Sequence, residues 1–189
     1  MRRFRRRGSA SSACRSAHIS NRDWPVHFPR MTVGRVASVN VSQGGVPKRP
    51  VPRAWVERTG LDTDGYFEPE PMHGGLDQAV CLYTLESIER VVADGHRAFP
   101  GAFGENLTLE GIELAHLAPG DRLRIGGSGL EIEITSHAAP CQTQGHWFVD
   151  RRIARISHKT HPEDARWYAS VVTAGWAATG DRVEVVKAR

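Results

Sequence analysis

The chain of 189 residues has little cysteine: only Cys14, Cys81 and Cys141, far apart from one another. Three scattered thiols build neither a disulfide framework, nor an all-cysteine zinc site, nor a four-cysteine iron–sulfur cluster. They point to a reducing compartment, and a cytoplasmic location is expected. Long apolar runs are also absent: none approaches the roughly 18 residues that a membrane span needs. Several familiar catalytic patterns are missing. There is no Gly-x-Ser-x-Gly elbow, and the GGSG stretch at 126–129 lacks the Lys-Ser/Thr pair of a phosphate loop. Nine histidines contain no His-x-x-x-His or His-Glu-x-x-His pattern. His158 and His161 stand three apart, but Pro162 breaks any helix that would join them.

What is present divides into two parts. Residues 1–30 carry eight arginines against one acid, Asp23, a net +7 that leaves −3 for the rest of a chain whose total is +4. The basic balance therefore belongs to this tail, and nucleic-acid binding by the folded part is not expected. The tail is rich in Arg and Ser and poor in apolar residues, so it is expected to be disordered. It lacks the apolar core of a secretory signal and loosely fits a transit peptide. A start at Met31, with the preceding stretch outside the native domain, is an equal reading. From 31 to 189 the composition is that of one soluble domain.

Within that domain, Thr32–Val41 reads as a strand, and SQGGVPKRPVP as a loop fixed by Gly44, Gly45 and three prolines. AWVERTGL reads as a second strand and QAVCLYT as a third. TLESIERVVADG is the clearest helix, with Thr84 as N-cap, Glu86 in the first turn and Gly95 as the stop. Runs 122–125 and 130–135 form a hairpin around GGSG, and Leu130, Ile132 and Ile134 alternate with Glu131 and Glu133. PEDARWYASVVTAG, between Pro162 and Gly175, reads as a second helix. DRVEVV closes as a strand. About six to eight short strands with two or more helices, and no βαβ rhythm, indicate a mainly β domain of barrel or sandwich type.

Four segments carry chemistry. Cys141 follows Pro140 in a polar loop, with His137 four residues before it and His146 five after. A thiolate there is a soft metal ligand and a nucleophile; a free, half-buried cysteine is the plainer alternative. Cys81, between apolar neighbours, reads as core. HGGLDQ (73–78) lets backbone N–H groups approach a ligand, or is a tight turn. FGENLT (103–108) offers the acceptor Glu105 and the amide Asn106, or is a capped turn. GGVPKRP (44–50) presents Lys48 to a phosphate, or to water.

In order along the chain, GGVPKRPV, HGGLDQAVCLY, AFGENLTLEGI, GDRLRIG, SHAAPC and RWYASVV…GDRVEV resemble the MOSC family, the domain also found at the C-terminus of molybdenum cofactor sulfurases. The resemblance is to its small stand-alone bacterial members. It implies a mixed β-barrel in which Cys141 ligates the metal of a molybdenum cofactor. It implies that His73, Gly74, Gly75, Asp77, Glu105, Asn106 and Ser136 line the pocket, with Lys48 near the pterin phosphate. Family members reduce N-hydroxylated small molecules with electrons from a separate flavin or iron–sulfur reductase. His137 or His73 is the expected proton donor, and the protein is expected to be a monomer or homodimer that uses no membrane. Two departures touch the pocket: LDTDG (61–65) replaces a Leu-x-Gly-Asp run, and Gln142–Thr143 replaces a basic or aromatic pair. The alternatives are a sulfur carrier, holding a persulfide on Cys141 received from a pyridoxal-phosphate-dependent desulfurase, and a cofactor carrier without turnover.

Overall fold

A computed structural model describes residues 32–65 and 74–188. The arginine-rich tail and His73 lie outside the described residues. Eleven strands are described: β1 (Val33–Val41), β2 (Arg49–Val51), β3 (Arg53–Glu57), β4 (Gly60–Leu61), β5 (Val80–Thr84), β6 (Leu107–Glu110), β7 (Arg122–Ile125), β8 (Leu130–Ala138), β9 (Arg166–Thr173), β10 (Gly175–Ala178) and β11 (Arg182–Val186). The main sheet runs β11-β7-β8-β9-β5-β6-β1, and β1 pairs back to β11. Seven strands thus close a barrel. β2 extends it beside β1, and β10-β3-β4 form a separate small sheet. The chain is mainly β, as its strand pattern implies.

Alternation of residue type builds this closure. In β8, Leu130, Ile132 and Ile134 are buried, while Glu131 and Glu133 face outward and pair with Arg122 and Arg124 of β7. Inward residues from successive strands (Val36, Leu82, Leu107, Leu123, Ile132, Val183) are fully buried and fill the lumen. The helix α1 (Leu85–Ala93) starts where Thr84 Oγ1 accepts from the Ser87 N–H, and its apolar side buries Ile88 and Val91. It connects β5 to β6, the one parallel pairing among the described strands, so a single βαβ unit exists inside an otherwise antiparallel barrel.

Two expectations are corrected. The stretch 162–174 is not a second helix. A 3-10 turn at Pro162–Asp164 gives way at once to β9, which lies between β5 and β8. Trp167 and Ala169 go inward, and the β-branched Val171, Val172 and Thr173 suit a pleated surface rather than a helix. Pro162 and Gly175, expected as helix boundaries, serve other ends. Gly175 sits where a Cβ would fall 2.7 Å from Ser128 Oγ. Besides α1, the helical content of the described residues is five 3-10 turns. The SHAAPC segment is likewise not all loop: Ser136–Ala138 belong to β8, across a bulge. No helix of the described residues is long and apolar enough to cross a membrane.

Candidate functional site

A cavity of about 510 Å3 opens between four segments: the Gly44–Lys48 loop, the Phe103–Asn106 loop, the start of β5, and the turn after β8. Cys141 stands on its wall, half-buried, at the head of the 3-10 turn Gln142–Trp147. Its thiol is held below the usual range. The Thr143 hydroxyl and backbone N–H donate to the sulfur, outweighing partial burial, with help from the Gln142 N–H and the charge of Arg166. The arrangement favours a thiolate open to the cavity.

Gln144 fixes the turn. Its Oε1 accepts from the Cys141 N–H (2.9 Å) and from Arg166 Nη2 (3.3 Å), while its Nε2 donates to the Phe103 carbonyl at 2.6 Å. Arg166, the first residue of β9, also lines the cavity and is only 3% exposed. It donates from Nη1 to the Phe103 carbonyl (2.5 Å) and from Nη2 to the Ala139 carbonyl (3.0 Å). Its Nη1 also lies 3.9 Å from Cys81 Sγ. No carboxylate among the described residues forms an ion pair with it, and its buried Nε has no partner. Its charge is felt by buried Glu105 and by the Cys141 sulfur, but with no salt bridge a buried guanidinium is costly, and an anion in the same cavity would offset it.

On the opposite wall, Asn106 accepts from the Cys81 N–H through Oδ1 (3.1 Å) and donates through Nδ2 to Asp64 (2.8 Å). Asp64 is the hub there: it also accepts from the Ser42 N–H at 2.8 Å and pairs with the Lys48 ammonium. Glycine is required where these loops touch. Gly101 has φ 89°, and a Cβ there would collide with the Lys48 carbonyl. Gly104, at φ 84°, faces Val46 across the cavity edge.

The structure thus brings Cys141, Lys48, Gly74 and Asn106 to one cavity. It does not bring the other described candidates to that wall. Lys48 is there, but Asp64 already neutralises it. Glu105 is fully buried behind the loop, where it accepts from Gly101 N–H, Phe103 N–H and Thr108; burial pushes its pKa up. Gly75 and Asp77 are exposed beyond the turn, and Ser136 is exposed on β8. His137, expected as a proton donor, lies tilted against Trp167 (3.7 Å between centroids) and stacks parallel on His158 at 4.7 Å. Burial and His158 hold its pKa down, so it stays neutral, away from the cavity wall. Cys81 is core as expected, yet its side chain also reaches the cavity.

Sequence reasoning does not reveal Arg166, Gln144, Thr143 as a thiolate donor, or Asp64. Outside the cavity, His161, Glu163 and Asp164 cluster at metal-ligand spacing. Arg90 and Arg155 both pair with Asp164, so two cations already occupy its oxygens.

Comparison with known proteins agrees with this architecture. The MOSC domain model matches residues 69–184. The chain belongs to the MOSC domain family. This family is associated with the molybdenum cofactor. A relative, protein YiiM of Escherichia coli (strain K12), is 29% identical over 131 residues, 67% of this chain. The match spans only 56% of YiiM's own length. Among solved structures, the YuaD protein of Bacillus subtilis superposes with a TM-score of 0.70 at 14% identity, over 85% of this chain and 99% of that one. YiiM from Geobacillus stearothermophilus gives 0.60 at 21% identity, over 82% and 75% of the two chains. These structures share the MOSC fold.

Proposed function

We propose that this MOSC domain binds a molybdenum cofactor through Cys141 and reduces N-hydroxylated small molecules with electrons from a separate flavin or iron–sulfur reductase. The observation that carries the reading is the pairing, in one cavity, of a thiol biased toward thiolate with a buried guanidinium that forms no salt bridge and leaves its Nε unpartnered. An anionic, metal-bearing ligand meets both needs: the soft thiolate suits molybdenum, and negative charge on the ligand offsets Arg166. Gly44, Gly45, Gly74 and Gly104 keep side-chain bulk off the same wall, while the N–H groups of Gly44, Gly74 and Gly104 are already bonded to Ser42 Oγ, Gln78 Oε1 and the Gly101 carbonyl. The residues present therefore fit the group.

When bound, the cofactor supplies the two-electron chemistry. The overall change is R–NH–OH plus two electrons and two protons to R–NH2 plus water, with the electrons entering from the external reductase. The chain's own parts are defined by its geometry. Thr143 draws the Cys141 pKa down toward the thiolate. Gln144 and Arg166 hold the Cys141 turn against the Phe103 loop, so that the sulfur keeps its place in the cavity. Asn106 and Asp64 brace the facing wall. Lys48, paired with Asp64, acts as part of that brace and not as a free phosphate ligand.

Cys141→Ala, expressed in a host that makes the cofactor, is expected to carry no molybdenum by elemental analysis and to lose amidoxime reduction driven by a reduced viologen. Full molybdenum occupancy in that variant would overturn the assignment. Mass spectrometry of the wild-type protein separates the sulfur-carrier reading, which requires an added mass of one sulfur on Cys141.

A further inference from the structure

His146 lies on the cavity wall five residues after Cys141, at the exposed outer end of the 3-10 turn. Two guanidinium groups converge on it. Arg151 places Nη1 3.1 Å from its Nδ1, and Arg97 directs Nη2 to its carbonyl at 3.5 Å. The Arg97 N–H is in turn fixed to the Trp147 carbonyl at 2.9 Å. Arg151 adopts φ 62°, the one positive φ at a non-glycine residue among those described. Such a conformation persists only where the surroundings enforce it, and it commonly marks a site in use.

These charges are not neutralised locally. No carboxylate of the described residues pairs with Arg97 or Arg151, and the nearby Asp150 is turned to Arg152, accepting from its N–H at 3.0 Å. The cluster is positive in a domain whose net charge outside the tail is −3. An arginine only donates, so Arg151 takes the Nδ1 lone pair and leaves the neutral His146 ring with its proton on Nε2. His146 lines the cavity, Arg97 and Arg151 reach it from beyond that lining, and all three side chains are then donors.

We propose that Arg97, His146 and Arg151 form an anion-recognising subsite at the mouth, which selects N-hydroxylated substrates bearing an acidic group, carboxylate or phosphate, remote from the N–OH. This rests on the reductive reading of the cavity and adds to it the class of substrate. The acid docks on the rim, and the rest of the molecule points inward toward Cys141.

The test compares benzamidoxime with 4-carboxybenzamidoxime on the cofactor-loaded full chain, with a reduced viologen as donor. Exposed charge contacts of this kind predict a KM about five-fold lower for the carboxylate probe at low salt. The preference vanishes near 1 M salt, where screening acts within about 3 Å. It also vanishes in the double variant Arg97→Glu, Arg151→Glu that keeps its molybdenum. Equal KM values for the two probes in the wild type, or a preference that survives both salt and charge reversal, overturns the proposal. Calorimetric titration of each probe into the same protein gives a second readout without turnover. If molybdenum is bound and neither probe is reduced, the reductive reading fails. Tighter binding of the acid still upholds the rim, and equal binding removes it.

Discussion

At the residue scale, the site depends on small donors more than on its charged candidates. Thr143 is the first cause of the depressed Cys141 pKa, and it is a residue that departs from the family's usual choice. Thr143→Val removes the hydroxyl and keeps the volume. The thiol's pKa is expected to rise, so alkylation of Cys141 by iodoacetamide should reach its half-maximal rate at a higher pH than in wild type. An unchanged profile would remove the hydroxyl from the account. The place of Cys141 on the cavity was legible through the family resemblance, since from its position alone a free, half-buried cysteine was the plainer reading. Arg166 was not, because a charged residue inside a segment read as a helix looks like a solvated face. Only the pairing of β9 with both neighbours shows it to be buried. Asp64 stands out as a departure from pattern, but its link to Lys48 and Asn106 spans 16 and 42 positions and leaves no local trace.

At the scale of elements, patterns with one strong period were legible. The capped helix α1 and the β7–β8 hairpin lie where the sequence puts them. The stretch 162–174 failed because Pro and Gly at its ends imitate helix boundaries, while its β-branched residues form a strand only when both neighbours are present. The turn before β7 shows how such elements are pinned. Asp121 accepts from the Ala118 N–H (2.9 Å), the Ala188 N–H (3.0 Å) and Lys187 (2.7 Å). Burial pushes its pKa up, but Lys187 and the two N–H groups prevail and hold it below the usual carboxylate range. Its contribution to stability is therefore present above an ordinary Asp pKa and fades as pH falls through the lowered folded value. Asp121→Asn is expected to cost about 1–3 kcal/mol at neutral pH in urea unfolding, and the deficit should shrink in acid. A deficit independent of pH would show that charge is not the cause.

At the scale of the whole molecule, closure depends on the pairing of β1 with β11, the first and last strands of the barrel. A chain ending at Asp181 loses β11 and exposes edges on both β1 and β7. It is expected to aggregate on expression and to show no cooperative melting transition; a soluble product with a sharp transition would contradict closure as the source of stability. The number and spacing of short strands left barrel and sandwich both open, and the resemblance to the MOSC family chose the barrel. Closure by the chain's two ends, and the gathering of distant loops at one cavity, were not, since no local pattern records which strands meet.

One buried side chain ties these scales together. Arg166 opens the strand that joins β5 to β8, and the same guanidinium grips the loops on either side of the Cys141 turn. Filling the cavity with an anion would offset that buried charge and would favour the folded state by mass action. On the proposed function, the empty protein in a cell short of cofactor would open more often and meet proteases sooner. Its abundance would then follow the supply of the molecule it waits for.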